Sequence, residues 1–439
     1  MSFTTTPPIV STFDNGLTVI LAPMETRSVS VLAMVGTGSR YEEASTNGIS
    51  HFLEHMVFKG TAKYPTPKIL AETLDKVGAE VNAFTSKEYT GYYVKSASEY
   101  VNLGLDVVSE LLLTPLLPAK ELEREKGVIV EEIHMYEDNP ARHVDDLFEQ
   151  MAFAGSPLGR PVIGTPSTVR SFDQDTFLRH LHAWYGLSNV VLAIAGDKSV
   201  VTKKLLKEVE KAFGKAHPER EQKLPEQVIA SITGNSFSTT GRLHVEYKDT
   251  QQSHFILAFE GLNRSDPDQY SADILGTLLG GTMSSRLFNE VREKRGLCYY
   301  VHANDDYYHD VGIFGASAGV DPTRVEEAVK VIREQLQLVA QDSGEFAITP
   351  EEVTNAQNHA VGSSILHLED SMAIAKFYAS RKLLRNEIIL PEEQIERIKA
   401  VRFEEVQSVA KRLCRSNKIY FTIIGPHKTE SIFSAILDA

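Results

Sequence analysis

The chain has little of what several function classes require. Among 439 residues there are two cysteines, Cys298 and Cys414, and neither belongs to a CxxC pair. A disulfide framework and a cysteine-built zinc site are therefore not expected, and isolated thiols fit a reducing compartment. No stretch approaches the roughly 18 apolar residues of a membrane span. The opening MSFTTTPPIVSTF has no basic patch followed by an apolar run, and no Arg-rich amphipathic character. No secretory leader is expected from it, and the expected location is cytoplasmic, away from membranes. Positive charge is also in deficit, with 45 Lys and Arg against 59 Asp and Glu and a formal charge of −14. Phosphate binding needs a basic face, so nucleic acid is not an expected partner.

What is present is ordinary globular composition, 42% hydrophobic and 24% charged, on a chain too long for one core. Two or more domains follow. The sequence also echoes itself at a long period. VSVLAMVGTGSRYE (29–42) reads as a buried strand and a Gly-rich turn, and HFILAFEGLNRSD (254–266) repeats the plan. GYYVKSASEYVNLGLDVVSELL (91–112) and GIFGASAGVDPTRVEEAVKVIREQL (312–336) are each a strand, a break and an amphipathic helix. FDQDTFLRHLHAWYGLSNVVLAIAGD (172–197) and FEEVQSVAKRLCRSNKIYFTIIGP (403–426) are each a helix, a turn and a strand ending at Gly. Three matched blocks in one order predict an α+β chain of two similar domains from an internal duplication. Each is expected to be a mostly antiparallel sheet packed with helices. The expected boundaries are 1–220 and 241–439, with a polar, Pro-containing linker at 221–240.

The chemistry concentrates in NGISHFLEHMVFKG. Helical spacing predicts a helix over 46–58, capped by Thr46 or Asn47 and followed by Gly60. His51, Glu54 and His55 then share one face, so two imidazoles one turn apart can grip a single Zn²⁺. Glu54 beside them suits a general base better than a ligand. This order, H-x-x-E-H, is that of the inverzincins. At the offset of 224, the second half reads LGTLL (275–279), wholly without these polar positions.

A catalytic zinc site takes a third protein ligand and keeps one open position. The acidic helix-forming run AKELEREKGVIVEEIHMYEDNP (119–140) carries Glu121, Glu123, Glu125, Glu131, Glu132 and Glu137, and composition does not choose among them. Glu125 and Glu132, seven apart, stack on one face and together suit a ligand and a carboxylate that orients a histidine.

HFLEHMVFKGT (51–61), VNAFTSKEYTGYY (81–93), EREKGVIVEEI (123–133), GTMSSRLF (281–288) and VREKRGLCYY (291–300) span most of the chain. In these motifs it resembles the pitrilysin/insulinase family of zinc peptidases, and most closely the half-size members akin to the catalytic subunit of the mitochondrial processing peptidase. The resemblance implies one zinc per chain held by His51, His55 and Glu132, with Glu125 as supporting carboxylate and Glu131 the nearest competitor of Glu132. It implies that Asn82, Ala83, Phe84 and Thr85 form an exposed edge strand to which an extended peptide substrate adds by backbone hydrogen bonds. It also implies that Arg292 and Tyr299 steady substrate and oxyanion. Residue patterns alone read these two as structural: Arg292 lies in a charged helix, and Tyr300 is as eligible as Tyr299.

The implied activity is a zinc metalloendopeptidase for short or unfolded polypeptides held in a closed chamber. The implied assembly is a homodimer with composite sites, or a heterodimer with a related subunit. The rival readings are a non-catalytic core subunit of an assembly and a peptide-binding partner that keeps zinc for structure.

Overall fold

Strand patterns dominate the start of each half, and the computed structural model, which describes residues 6–214, 220, 237–239, 241–415 and 418–438, turns them into two sheets. In chain order the first half supplies β1 (Ile9–Thr12), β2 (Thr18–Met24), β3 (Ser28–Val35), α1 (Ile49–Met56), β4 (Glu80–Thr85), β5 (Thr90–Ala97), α2 (Val101–Leu113), α3 (Ala119–Glu137), α4 (Pro140–Ala152), α5 (Gln174–Trp184) and β6 (Val190–Asp197). The second half supplies β7 (Leu243–Tyr247), β8 (Ser253–Gly261), α6 (Gln269–Gly280), β9 (Cys298–Tyr307), β10 (Gly312–Val320), α7 (Val325–Leu338), α8 (Pro350–His367), α9 (Ser371–Arg385), α10 (Phe403–Cys414) and β11 (Tyr420–Gly425).

The two sheets have one topology. The first runs β1-β2-β6-β3-β5-β4 and the second β7-β11-β8-β10-β9. Leaving out β1, the orders superpose element for element. In each, one pair is parallel, β2 with β6 and β7 with β11, and every other pair is antiparallel. The duplication expected from the three repeated blocks is thus present as a mostly antiparallel α+β fold made twice. The central strands are near-continuous apolar runs, VSVLAMV in β3 and HFILAF in β8, because both faces of each sheet are covered.

What covers them was not legible in the blocks. The compact units are Met1–Ile133 with Arg160–Thr233 and Ile365–Glu392, and His134–Gly159 with Gly234–Ser364 and Glu393–Ala439. They are therefore not the contiguous halves 1–220 and 241–439. Each half lends one helix to the other's sheet. In the first unit Ile374, Ala375, Tyr378 and Ala379 of α9 bury against Ile20, Leu32, Met34, Val191 and Ala193. Ser30 and Ser371 share a buried hydroxyl hydrogen bond of 2.9 Å beneath them. In the second unit Val144, Leu147 and Phe148 of α4 bury against Ile256, Ala258, Ile313, Tyr420 and Ile424. The same face carries a cavity of about 530 Å³ lined by Asp145, Glu149, Asp305 and Asp306. The expected linker lies mostly outside the described residues.

Both cysteines are free thiols, Cys414 buried and Cys298 half-buried. Among the described residues no helix is long and apolar enough to cross a membrane.

Candidate metal centre

The helix α1 is short, and its position is fixed from both sides. Its apolar face, Ile49, Phe52, Leu53 and Met56, is fully buried, with the Phe52 ring edge-on to Phe177 at 5.0 Å. Burial of each such side chain stabilises by about 1.5–3 kcal/mol. The start of the helix is not capped by Thr46 or Asn47, as the sequence suggests. Gly48 occupies that position in the left-handed region at φ 96°, and its missing Cβ lets Gly164 approach, since a Cβ there would lie 2.7 Å from the Gly164 Cα. The orphan N–H groups of the first turn go to Glu42 instead. Its Oε2 accepts from Gly48 N at 2.7 Å and from Asn47 Nδ2 at 3.1 Å, and its Oε1 accepts from Ser50 N at 2.8 Å. A carboxylate here satisfies the helix terminus and its dipole together.

With the apolar face anchored, His51, Glu54 and His55 turn the other way, toward α3. His51 Nε2 lies 3.8 Å and His55 Nε2 3.4 Å from Glu132 Oε2. The three candidate ligand atoms all lie within 4.8 Å of one another. Ligands placed about 2.1 Å from a zinc ion on a tetrahedron are about 3.4 Å apart, so the donor set fits zinc in both chemistry and spacing. Glu131, one residue round the helix, is exposed, whereas Glu132 is half-buried and faces the imidazoles.

The supporting contacts differ between the histidines. His55 Nδ1 meets Glu125 Oε1 at 3.0 Å, and Lys59 Nζ meets Glu125 Oε2 at 2.7 Å. His51 Nδ1 is buried with no hydrogen-bond partner among the described residues. Burial, with the neighbouring His55, pushes the His51 pKa down to about 4. Burial also works against the His55 imidazolium, but its hydrogen bonds to Glu125 and Glu132 outweigh that and hold the pKa up to about 9. Glu125 is itself buried, yet His55 and Lys59 together keep its carboxyl below the usual range.

Glu54 stands beside the ligand set. Its Oε2 accepts a hydrogen bond of 2.6 Å from Thr85 Oγ1. Burial raises its pKa, and the Thr85 hydroxyl partly offsets that. Thr85 ends β4, which carries Asn82, Ala83 and Phe84 and pairs only with β5, so that its other side is a sheet edge among the described residues. The β4–β5 hairpin is held from behind by a buried ion pair, Arg40 to Glu88 at 2.6 Å. Phe84 lies under the Lys376 ammonium at 4.4 Å and packs on Gly91, where any Cβ would collide with its ring.

The remaining two candidates lie in the second unit. Arg292 belongs to a π-helical turn, Phe288–Glu293, and its guanidinium stacks on Tyr299 at 5.5 Å and on Phe288 at 4.8 Å. Tyr299 is 74% exposed although it is the second residue of β9. Its neighbour Tyr300 is taken, its hydroxyl bonded to His254 Nδ1 at 2.9 Å. The counterpart of α1 in the second sheet, α6, buries Leu275, Gly276, Leu278 and Leu279 and carries no ligand.

Sequence reasoning missed Lys59, Glu42 and the Thr85–Glu54 bond. The signal for Lys59 was its spacing of four from His55, as His55 is four from His51.

Comparison with known proteins gives a consistent picture. Residues 18–166 match the family described as Insulinase (Peptidase family M16), and residues 171–359 match the Peptidase M16 inactive domain. A Bacillus subtilis protein named as an uncharacterized zinc protease, YmxG, is 36% identical over 92% of this chain and 94% of its own. An uncharacterized zinc protease of Streptomyces coelicolor is 36% identical over 95% of this chain and 89% of its own. The crystal structure of a protease from Helicobacter pylori shares the fold, with a TM-score of 0.85 at 22% identity over 96% of this chain and all of that one.

Proposed function

Because the chain belongs to the insulinase family of peptidases, we propose that it is a zinc-dependent endopeptidase that hydrolyses extended, unfolded polypeptide. The observation that carries this reading is the convergence of His51, His55 and Glu132 within 4.8 Å, with a second carboxylate, Glu54, beside them and bound to a sheet edge. A zinc ion held by those three residues supplies Lewis acidity to a scissile carbonyl and to water.

The rest is the work of side chains. The backbone of β4 around Asn82, Ala83, Phe84 and Thr85 receives the substrate as an added strand, which explains tolerance of sequence and intolerance of folded substrates. Glu54 takes the proton of the attacking water and passes it to the departing amine. Its raised pKa moves it toward the range in which one group serves as base and then acid. Tyr299 donates its phenol to the oxyanion and Arg292 holds the substrate backbone. Two copies of the chain form the working unit, each giving its Arg292 and Tyr299 to the other's zinc. A non-catalytic core subunit is set aside, because such a role needs neither the ligand triad nor a base beside it.

The test is turnover of quenched peptides by the purified chain alone. Hydrolysis that stops with a chelator and returns with zinc supports the reading; no hydrolysis by fully zinc-loaded chain refutes it.

A further inference from the structure

The proposed reaction leaves one cation at the metal centre unexplained. Lys59 lies four residues beyond His55, and His55 four beyond His51. After α1 ends at Met56 the chain makes one more tight turn, Val57–Lys59, so Lys59 stays on the face of the histidines. Gly60 then leaves the helical path at φ 143°. Opposite stand Glu125 and Glu132, two turns apart on α3. The side chains interdigitate as a ladder: His51 to Glu132 at 3.8 Å, Glu132 to His55 at 3.4 Å, His55 to Glu125 at 3.0 Å and Glu125 to Lys59 at 2.7 Å.

We propose that Lys59 is a positioning residue of the metal centre, which pins Glu125 so that Glu125 fixes the His55 ring for zinc; this rests on the zinc reading above. A buried carboxylate needs partners for both oxygens, and the Glu125 side chain is only 5% exposed. With Oε2 on a fixed ammonium, the carboxylate plane is set, and Oε1 is left to accept from His55 Nδ1. That bond selects the ring orientation that turns Nε2 toward Glu132. His51 has no such support at its own Nδ1. The orientation of the two-histidine clamp therefore falls on His55, and through Glu125 on Lys59. The Lys59 side chain is 23% exposed, and its ammonium meets an oxygen of the buried Glu125 carboxylate.

The test uses the full chain loaded with zinc and follows metal release into a chromophoric chelator. Lys59→Met, which keeps the stem and removes the charge and the donors, should release zinc about tenfold faster than the wild type. Lys59→Arg should stay within about threefold of it, and melting of the zinc-free chains is followed alongside to show that each variant is folded at the assay temperature, since loss of one partner of a buried pair lowers stability by itself. A role through Glu125 has a further signature. In a Glu125→Gln background, adding Lys59→Met should change the rate less than about twofold. Where Lys59→Met does not fold, Lys59→Gln enters the same cycle. Release from Lys59→Met within twofold of the wild type, or effects of the two substitutions that multiply in the double variant, would overturn the proposal. A wild-type chain that takes up no zinc would instead refute the zinc reading, and this inference with it.

Discussion

The Thr85 hydroxyl donates to Glu54 Oε2 across 2.6 Å, so the last residue of the edge strand holds the carboxylate assigned as base. On the proposed reading, the other oxygen, Oε1, would be the one to meet the attacking water. Thr85→Val keeps the shape and the strand propensity and removes only the donor. The expected result is a fall in kcat of about tenfold to a hundredfold with KM within about twofold, since orientation rather than docking is lost. Thr85→Ser should restore most of the rate. Steady-state kinetics at equal zinc content check this, and a rise in KM at unchanged kcat would place Thr85 in docking instead.

The choice of third ligand has a direct check. Glu132 faces both imidazoles, whereas Glu131 is exposed on the same helix. Metal analysis of purified chains should find about one zinc in Glu131→Gln and a large loss in Glu132→Gln. The reverse pattern would show that Glu131, not Glu132, is the ligand.

Much of this centre was readable because helical spacing is short-range. Four residues separate His51 from His55 and seven separate Glu125 from Glu132, so each pair shares a face whatever the rest of the chain does. Leu275, Leu278 and Leu279 of α6, at the matching places in the second half, marked those polar positions as unusual. The missed contacts join positions far apart in sequence: Glu54 with Thr85, and Lys59 with Glu125. The exchanged helices α4 and α9 were hidden for a different reason. An amphipathic helix shows that one face is buried but not which sheet buries it, and both sheets offer apolar faces of the same kind. The cap on α1 was misread because a carboxylate six residues upstream did the work ordinarily given to a residue beside the helix.

The acidic cavity of the second unit predicts a pH effect on stability. Burial, together with Glu149, Asp146 and Asp306, pushes the Asp145 carboxyl up to about 7 from 3.8. A raised pKa means that the folded chain keeps a proton which the unfolded chain has lost. The resulting stabilisation is fully present below the unfolded value and is lost as pH rises through about 7. Asp145→Asn cannot ionise, so it should melt higher than the wild type at pH 8–9, by an amount that solvent screening of this partly exposed side chain reduces, and coincide with it near pH 4. Equal melting at pH 9 would show that the carboxylate is not under strain there.

The dimer with shared sites predicts complementation. Glu54→Gln and Tyr299→Phe should each be nearly inactive. Mixed under conditions that exchange subunits, they should recover part of the wild-type rate, because one site of each mixed dimer then carries neither lesion. Confirmed exchange with no recovery, or full activity of a monomer by light scattering, would refute the shared site.

The central claim is that Glu54 performs chemistry while His51, His55 and Glu132 hold the metal, and Glu54→Gln separates the two. At zinc content matched to the wild type, this variant should keep its fold and lose turnover of a quenched peptide by about a hundredfold to ten-thousandfold, the usual contribution of a general base. Turnover within tenfold of the wild type at equal zinc would contradict the account.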